Sequence, residues 1–177
     1  MLQVIVGPMY AGKTTELCRR IKKYMLAKRH AILVKSAIDT RYTKNPVIIN
    51  HENLTIARDN IVIADQLASI RDELMRADVI GIDEGQFYKD LSSEVEYLLM
   101  QGKTIIVSAL DSDYSMSPWD EVIKLLPMAS TFEKYLGVCD CGEDAVCSSK
   151  MTTNTSSRIE VGGQELYRCQ CLRCKLK

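Results

Sequence analysis

The chain opens on Leu2-Gln-Val-Ile-Val6, then Gly7, Pro8, Met9, Tyr10, Ala11, Gly12, Lys13 and Thr14. A short apolar run, a six-residue segment bounded by glycines, and Lys-Thr leading into helix formers satisfy G-x-x-x-x-G-K-[ST]. They do so between a strand and a helix, the context that gives the pattern its meaning. A phosphate chain needs backbone N–H groups aimed at its oxygens. The loop must therefore turn tightly and approach closely, which glycines allow. The following helix adds the positive end of its dipole. In this reading Lys13 reaches the β- and γ-phosphates and Thr14 Oγ ligates Mg²⁺.

Outward from that loop, strand-like and helix-like segments alternate. Thr14 to about Arg29 places Leu17, Ile21, Tyr24 and Met25 at helical spacing. Ala31–Val34 is a buried strand, and Asp39–Asn53, polar and with Pro46, is a loop. Leu54–Ile63 holds one or two short strands. Ala64–Met75 is helical, Ala77–Ile82 a strand, Asp90–Gln101 a helix and Lys103–Leu110 a strand. Pro118–Leu126 begins as a helix with proline in its first turn. Apolar strands between amphipathic helices predict an α/β fold, a parallel sheet of the P-loop NTPase type flanked by helices on both faces. Near Val138 the pattern stops. The remainder is rich in Cys, Ser and Thr with one Gly162-Gly163 pair, so the expected division is an ATP-binding domain over 1–136 and a small module over 137–177.

The sequence has 177 residues, with 23 Lys+Arg against 23 Asp+Glu. Zero net charge argues against a general polyanion binder, whose affinity comes from a basic surface. Hydrophobic content of 46% and charged content of 26% fit a globular domain and exclude a disordered one. No apolar run is long enough to span a membrane, and the start lacks the features of a signal peptide. A reducing, cytoplasmic compartment is the expectation. Clustered cysteines there read as metal ligands rather than disulfides.

Cys18 stands alone in the first helix and reads as core packing; six further cysteines follow Val138. Cys171-x-x-Cys174 has standard zinc-ligand spacing, whereas its candidate partner, Cys139-Asp-Cys141, is one residue short of C-x-x-C. The expected ligands are Cys139, Cys141, Cys171 and Cys174, with Cys147 and Cys169 as substitutes or spare thiols. Four thiolates leave no open position, so the metal would be structural. His30 and His51 have no metal spacing. A second constellation lies at Val79-Ile-Gly-Ile-Asp83-Glu84, where an apolar strand ends in two carboxylates. Asp83 is placed to hold Mg²⁺, and Glu84, at the sheet's carboxyl edge, to accept a proton from an attacking hydroxyl or water.

The segments Gly7–Thr14, Asp39-Thr40-Arg41-Tyr42, Asp83-Glu84-Gly85-Gln86-Phe87, Ala109-Leu110-Asp111 and Gly162-Gly163…Tyr167…Cys171-x-x-Cys174 occur in this order. Together they resemble thymidine kinases of the cytosolic cellular and poxvirus type, from about Val4 to Cys174. The resemblance implies ATP-dependent phosphorylation of the thymidine 5′-hydroxyl to dTMP, in nucleotide salvage for DNA synthesis, with ATP, Mg²⁺ and a structural Zn²⁺. It implies that Glu84 is the general base and that Gly7–Thr14, Asp83, Gly85 and Gln86 belong to the nucleotide site. It places Asp39, Thr40 and Arg41 near the transferred phosphate. It places the nucleoside beneath a lasso loop whose tip is Arg158, Ile159, Glu160, Val161 and Gly162, with Tyr167 packing nearby. Met9, Leu110, Tyr114 and Trp119 would line the pocket. It further implies a homotetramer, feedback by the triphosphate product, and neither membrane nor direct nucleic-acid binding. A competing reading keeps the ATP residues but makes the protein a P-loop ATPase whose cysteine ribbon binds nucleic acid through Arg168, Arg173, Lys175 and Lys177. A third is a nucleotide-dependent switch or scaffold.

Overall fold

The computed structural model describes residues 1–38, 56, 58–151, 162–163 and 165–177. Among them a central sheet holds β1 (Leu2–Val6), β2 (Ala31–Ser36), β3 (Ile61–Ala64), β4 (Val79–Ile82), β5 (Thr104–Ala109) and β6 (Thr131–Lys134). The spatial order is β3-β2-β4-β5-β1-β6, and every pairing is parallel. The helices are α1 (Lys13–Leu26), α2 (Arg71–Arg76), α3 (Leu91–Met100) and α4 (Asp120–Ile123). The predicted α/β class with a helix-flanked parallel sheet is the observed one.

The pleat divides each apolar run between two cores. Val4, Val6, Ile80, Ile82, Ile105 and Val107 face α2 and α3, packing with Leu74, Leu91, Val95 and Leu98. Ile5, Leu33, Val79 and Ile106 face α1, packing with Leu17, Cys18 and Ile21. Burial on both faces is why these strands read as continuous apolar runs rather than alternating ones. Gly81 sits where a Cβ would collide with Ile21 Cδ1 and lie 3.2 Å from Leu33 Cδ1, so its missing side chain lets α1 lie close on the sheet.

Several boundaries differ from the sequence expectation. α1 ends at Leu26, three residues early, where Lys28 turns with φ 59°. The predicted helix from Ala64 is a 3-10 turn, Leu67–Ile70, running into the short α2. The helix expected from Pro118 is only α4, because Pro118 is bridged to Ser112 and Trp119 is extended. The edge strand β6 was not anticipated: Thr-Phe-Glu-Lys is half exposed and carries no apolar run. The predicted loop at Asp39–Asn53 lies outside the described residues.

Beyond β6 come two small antiparallel pairs. β7 (Gly137–Val138) pairs with β8 (Asp144–Ala145), and β9 (Cys147–Lys150) pairs with β10 (Tyr167–Gln170) ahead of the single turn α5 (Leu172–Lys175). No helix among the described residues is long and apolar enough to cross a membrane.

Candidate active site

The parallel strands bring three carboxyl ends together: β1 with the Gly7–Thr14 loop, β4 with Asp83 and Glu84, and β5 with Ser108 and Leu110. Gly7 has φ 144° and its α-carbon abuts the Tyr135 carbonyl, so a side chain there would collide with backbone. Gly12 (φ 77°) occupies the left-handed region just before α1, and Glu16 N donates to its carbonyl at 3.0 Å. Tyr10, with no such freedom, is also left-handed at φ 64°. A bulky residue stays in that region only where its surroundings hold it. Lys13 is buried, and its Nζ donates to Pro8 O at 2.7 Å, laying the ammonium across the loop.

Asp83 is fully enclosed. Thr14 Oγ1 donates to its Oδ1 at 3.0 Å and to Oδ2 at 3.3 Å, and Ser108 Oγ donates to Oδ1 at 3.1 Å. Burial, followed by the charge of neighbouring Glu84, pushes Asp83 up to about 6, against the opposing pull of Lys35 and the two hydroxyls. A buried carboxylate with a threonine hydroxyl on it is chemistry suited to a hard divalent cation such as Mg²⁺.

Glu84 follows in a left-handed conformation (φ 51°, ψ 48°) at the tip of β4 and is half-buried. Gln86 bridges it to the next strand: its Nε2 donates to Glu84 Oε2 at 2.6 Å, and its Oε1 accepts from Leu110 N at 2.9 Å. Gly85 permits this close turn, since a Cβ there would stand 2.9 Å from Val107 Cγ1. The arrangement combines a glycine-bounded loop ahead of a helix, a lysine, a buried carboxylate with two hydroxyls, and a second carboxylate clamped by an amide. It can position a phosphate chain and take a proton from a nucleophile beside it.

Leu110 is half-buried, and Tyr114 and Trp119 follow it in the segment before α4. Trp119 packs against the main core, and the Tyr114 ring lies beneath Lys150 Nζ at 5.6 Å. Tyr167 is buried on β10, and its N–H donates to Gly163 O at 3.0 Å. Gly162 is described; Asp39, Thr40, Arg41, Arg158, Ile159, Glu160 and Val161 lie outside the described residues.

The sulfurs of Cys139, Cys141, Cys171 and Cys174 lie within 4.8 Å of one another, with Cys141 and Cys171 at 3.6 Å. A tetrahedral zinc with bonds of about 2.3 Å needs sulfurs about 3.8 Å apart, so the four thiols fit that ion. The shortened Cys139-x-Cys141 pair converges because Gly142 turns at φ 88° and donates to Cys139 O at 2.8 Å. Cys147 and Cys169 are not in the cluster; their thiols contact Gln170 O and Val138 O, each at 3.2 Å.

The family model described as thymidine kinase matches residues 1–175. The chain belongs to the thymidine kinase family. The thymidine kinase of Choristoneura fumiferana entomopoxvirus is 36% identical over 176 residues, covering 98% of this chain and 95% of the relative. That of sheeppox virus is 35% identical over 174 residues, with the same two coverages. Human cytosolic thymidine kinase is 34% identical over 177 residues, covering 99% of this chain and 73% of the human protein.

Within this thymidine kinase fold, three contributors escaped the sequence reading, and a fourth, Lys175, was read there only as a candidate nucleic-acid cation. Ser108 holds Asp83. Lys35 is buried at the end of β2 and acts electrostatically on Asp83. Lys175 Nζ donates to Tyr114 O at 2.6 Å. Ser148 Oγ accepts from Met9 N at 2.9 Å. For the first two, a polar residue inside an otherwise apolar strand was the available signal. Ser148, in the cysteine-rich tail, carried none.

Proposed function

We propose that the protein transfers the γ-phosphoryl group of ATP to the 5′-hydroxyl of thymidine, giving dTMP and ADP, a salvage reaction supplying DNA synthesis. The observation that carries this reading is the placement of Glu84 in a chain of this family. It is clamped by Gln86, adjoins Asp83, and stands at the same sheet edge as the Gly7–Thr14 loop.

In this reading the loop amides and Lys13 bind the β- and γ-phosphates. Glu84 accepts the 5′-hydroxyl proton as the oxygen attacks the γ-phosphorus and the bond to the ADP oxygen breaks. Asp83 and Thr14 would hold Mg²⁺, which when bound neutralises charge on the phosphate oxygens. Asp39, Thr40 and Arg41 are assigned to the transferred phosphate. The base is assigned to Met9, Leu110, Tyr114, Trp119, Tyr167 and the Arg158–Gly162 segment. Cys139, Cys141, Cys171 and Cys174 would hold one structural zinc. The domain division at 136/137, a homotetramer, triphosphate feedback and a cytoplasmic location belong to the same proposal.

The nucleic-acid reading is weaker, because three of its four cations face partners within the chain. Arg168 lies 3.5 Å from Asp140, Arg173 lies 3.8 Å from Glu143, and Lys175 donates to Tyr114 O. The test is kcat/KM for three nucleosides with ATP saturating. A methyl in an apolar niche discriminates by about 1–3 kcal/mol, so deoxyuridine should be poorer by roughly 10–200-fold. Deoxycytidine presents two inverted hydrogen-bonding groups, each costing about 1–3 kcal/mol when left unpaired, and should be poorer still. Deoxycytidine equal to or better than thymidine would refute the assigned substrate.

A further inference from the structure

The Gly7–Thr14 loop is fastened at more points than its own sequence supplies. Tyr135 N donates to Val6 O at 2.8 Å just ahead of the loop, and the Tyr135 carbonyl packs on Gly7. Lys13 Nζ ties back to Pro8 O. Pro8 has no N–H, so the first amide donor after Gly7 is that of Met9. It is used by a side chain 139 positions away, Ser148 Oγ, at 2.9 Å.

Ser148 is well placed to act as a fixed acceptor. It is buried (4% exposed) in the middle of β9, and its neighbours Cys147 and Ser149 are buried as well. β9 is paired along its length with β10, from Cys147↔Gln170 to Lys150↔Tyr167. β10 runs directly into Cys171, a member of the four-thiol cluster. A continuous path of covalent and hydrogen bonds therefore runs from that cluster through β10 and β9 to the crest of the phosphate loop. The residue after the pinned amide is Tyr10, the non-glycine residue held at φ 64°. Such a conformation costs on the order of 1–3 kcal/mol and persists only where the surroundings over-determine it.

We propose that Ser148 is a positioning residue for the phosphate loop: by accepting the Met9 amide it holds the crest of the loop in its phosphate-accepting shape and couples the cysteine module to ATP affinity. The inference assumes that Gly7–Thr14 is the ATP site, as in the proposed function, but needs neither thymidine nor turnover. With Met9 N–H held by Ser148, the residues from Tyr10 to Thr14 are anchored at their start. Losing one intramolecular hydrogen bond that preorganises them should weaken ATP binding by about 3- to 10-fold. Threonine keeps the hydroxyl at the same carbon and so keeps the acceptor.

The experiment measures the Kd of Mg²⁺-ATP by calorimetry for the wild type, Ser148→Ala and Ser148→Thr, each with its zinc content and Tm recorded. The expected result is a 3- to 10-fold weaker Kd for Ala at unchanged zinc content, with Thr within about twofold of wild type. Unchanged affinity in Ala, or a loss in Thr as large as in Ala, overturns the proposal. A second readout uses the wild type alone, so it survives any failure of a variant to fold: amide hydrogen exchange at Met9. Protection at Met9 that is lost when chelator strips the metal supports the coupling. Exchange at the rate of an open loop with metal present overturns it. A protein that binds ATP with these Kd values but phosphorylates no nucleoside would refute the kinase reading separately.

Discussion

Asp83→Asn is expected to make the protein more stable and less active, and the size of the gain follows from where the carboxylate sits. Asp83 is enclosed, with Thr14 and Ser108 as hydroxyl donors and Glu84 as a like charge next in sequence. Its proton affinity rises from the ordinary 3.8 to about 6, so the folded protein holds that proton more tightly than the unfolded chain does. Its contribution to stability is then fully present below pH 3.8 and is lost as pH rises through about 6, because stability falls with pH wherever the native state binds more protons. At 1.36 kcal/mol per pH unit, the buried charge costs on the order of 3 kcal/mol at neutral pH, part of it developing above pH 5. Asparagine keeps Oδ1 as acceptor for both hydroxyls and removes the charge. Urea unfolding without Mg²⁺ or nucleotide should show Asp83→Asn more stable than wild type, with the gap widening between pH 5 and 7.5. Adding Mg²⁺-ATP should stabilise the wild type and leave the variant nearly unmoved, since ligand stabilisation follows affinity for the native state. A gap that is flat with pH, or a variant less stable than wild type at pH 7.5, would refute the account of Asp83 as a charge whose burial outweighs the pull of Lys35 and the two hydroxyls.

Other substitutions separate the remaining roles. Lys13→Ala should lower kcat by about 10²–10³, the usual worth of a preorganised charge on a phosphoryl group; a near-normal kcat would remove Gly7–Thr14 from the chemistry. Glu84→Gln should fold and bind both substrates yet turn over at least about 10²-fold slower, as befits loss of a general base. An equal loss of nucleotide binding would assign Glu84 to metal coordination instead. Metal analysis of freshly purified protein should find about one zinc per chain, and its removal by chelator should melt the segment after β6, because binding free energy there is folding free energy. Protein that is zinc-free and folded would contradict the four-thiol assignment.

The central sheet was legible because its inner strands are covered on both faces. Ile80 and Val79, or Ile105 and Ile106, serve opposite cores, so the sequence shows an unbroken apolar run wherever such a strand lies. The same logic explains the omission of β6: an edge strand of Thr-Phe-Glu-Lys has one neighbour and two exposed ends, and nothing in its composition marks it as sheet. Helix lengths were overestimated where tertiary detail intervened, as at Pro118, which pairs with Ser112 instead of opening a helix. In the site, the loop and the Asp83-Glu84 pair announced themselves because their chemistry is local in sequence. The hydroxyls that contact them were harder to find: Ser108 showed only as a polar residue in an apolar strand, and Ser148 not at all. Ser108 and Ser148 act across 25 and 139 positions, a juxtaposition created only by the sheet order and by the docking of β9. Likewise the short Cys139-x-Cys141 spacing looked deficient until the Gly142 turn brought both sulfurs to the cluster.

The most direct test of the central claim follows the phosphorus atom. The purified protein would be incubated with γ-labelled ATP, Mg²⁺ and thymidine, and in parallel with single-stranded DNA or with no acceptor. The account predicts that label appears in thymidine 5′-monophosphate in a one-to-one ratio with ADP, with little release of inorganic phosphate in any reaction. Release of labelled phosphate that ignores thymidine, or that single-stranded DNA stimulates, would contradict it.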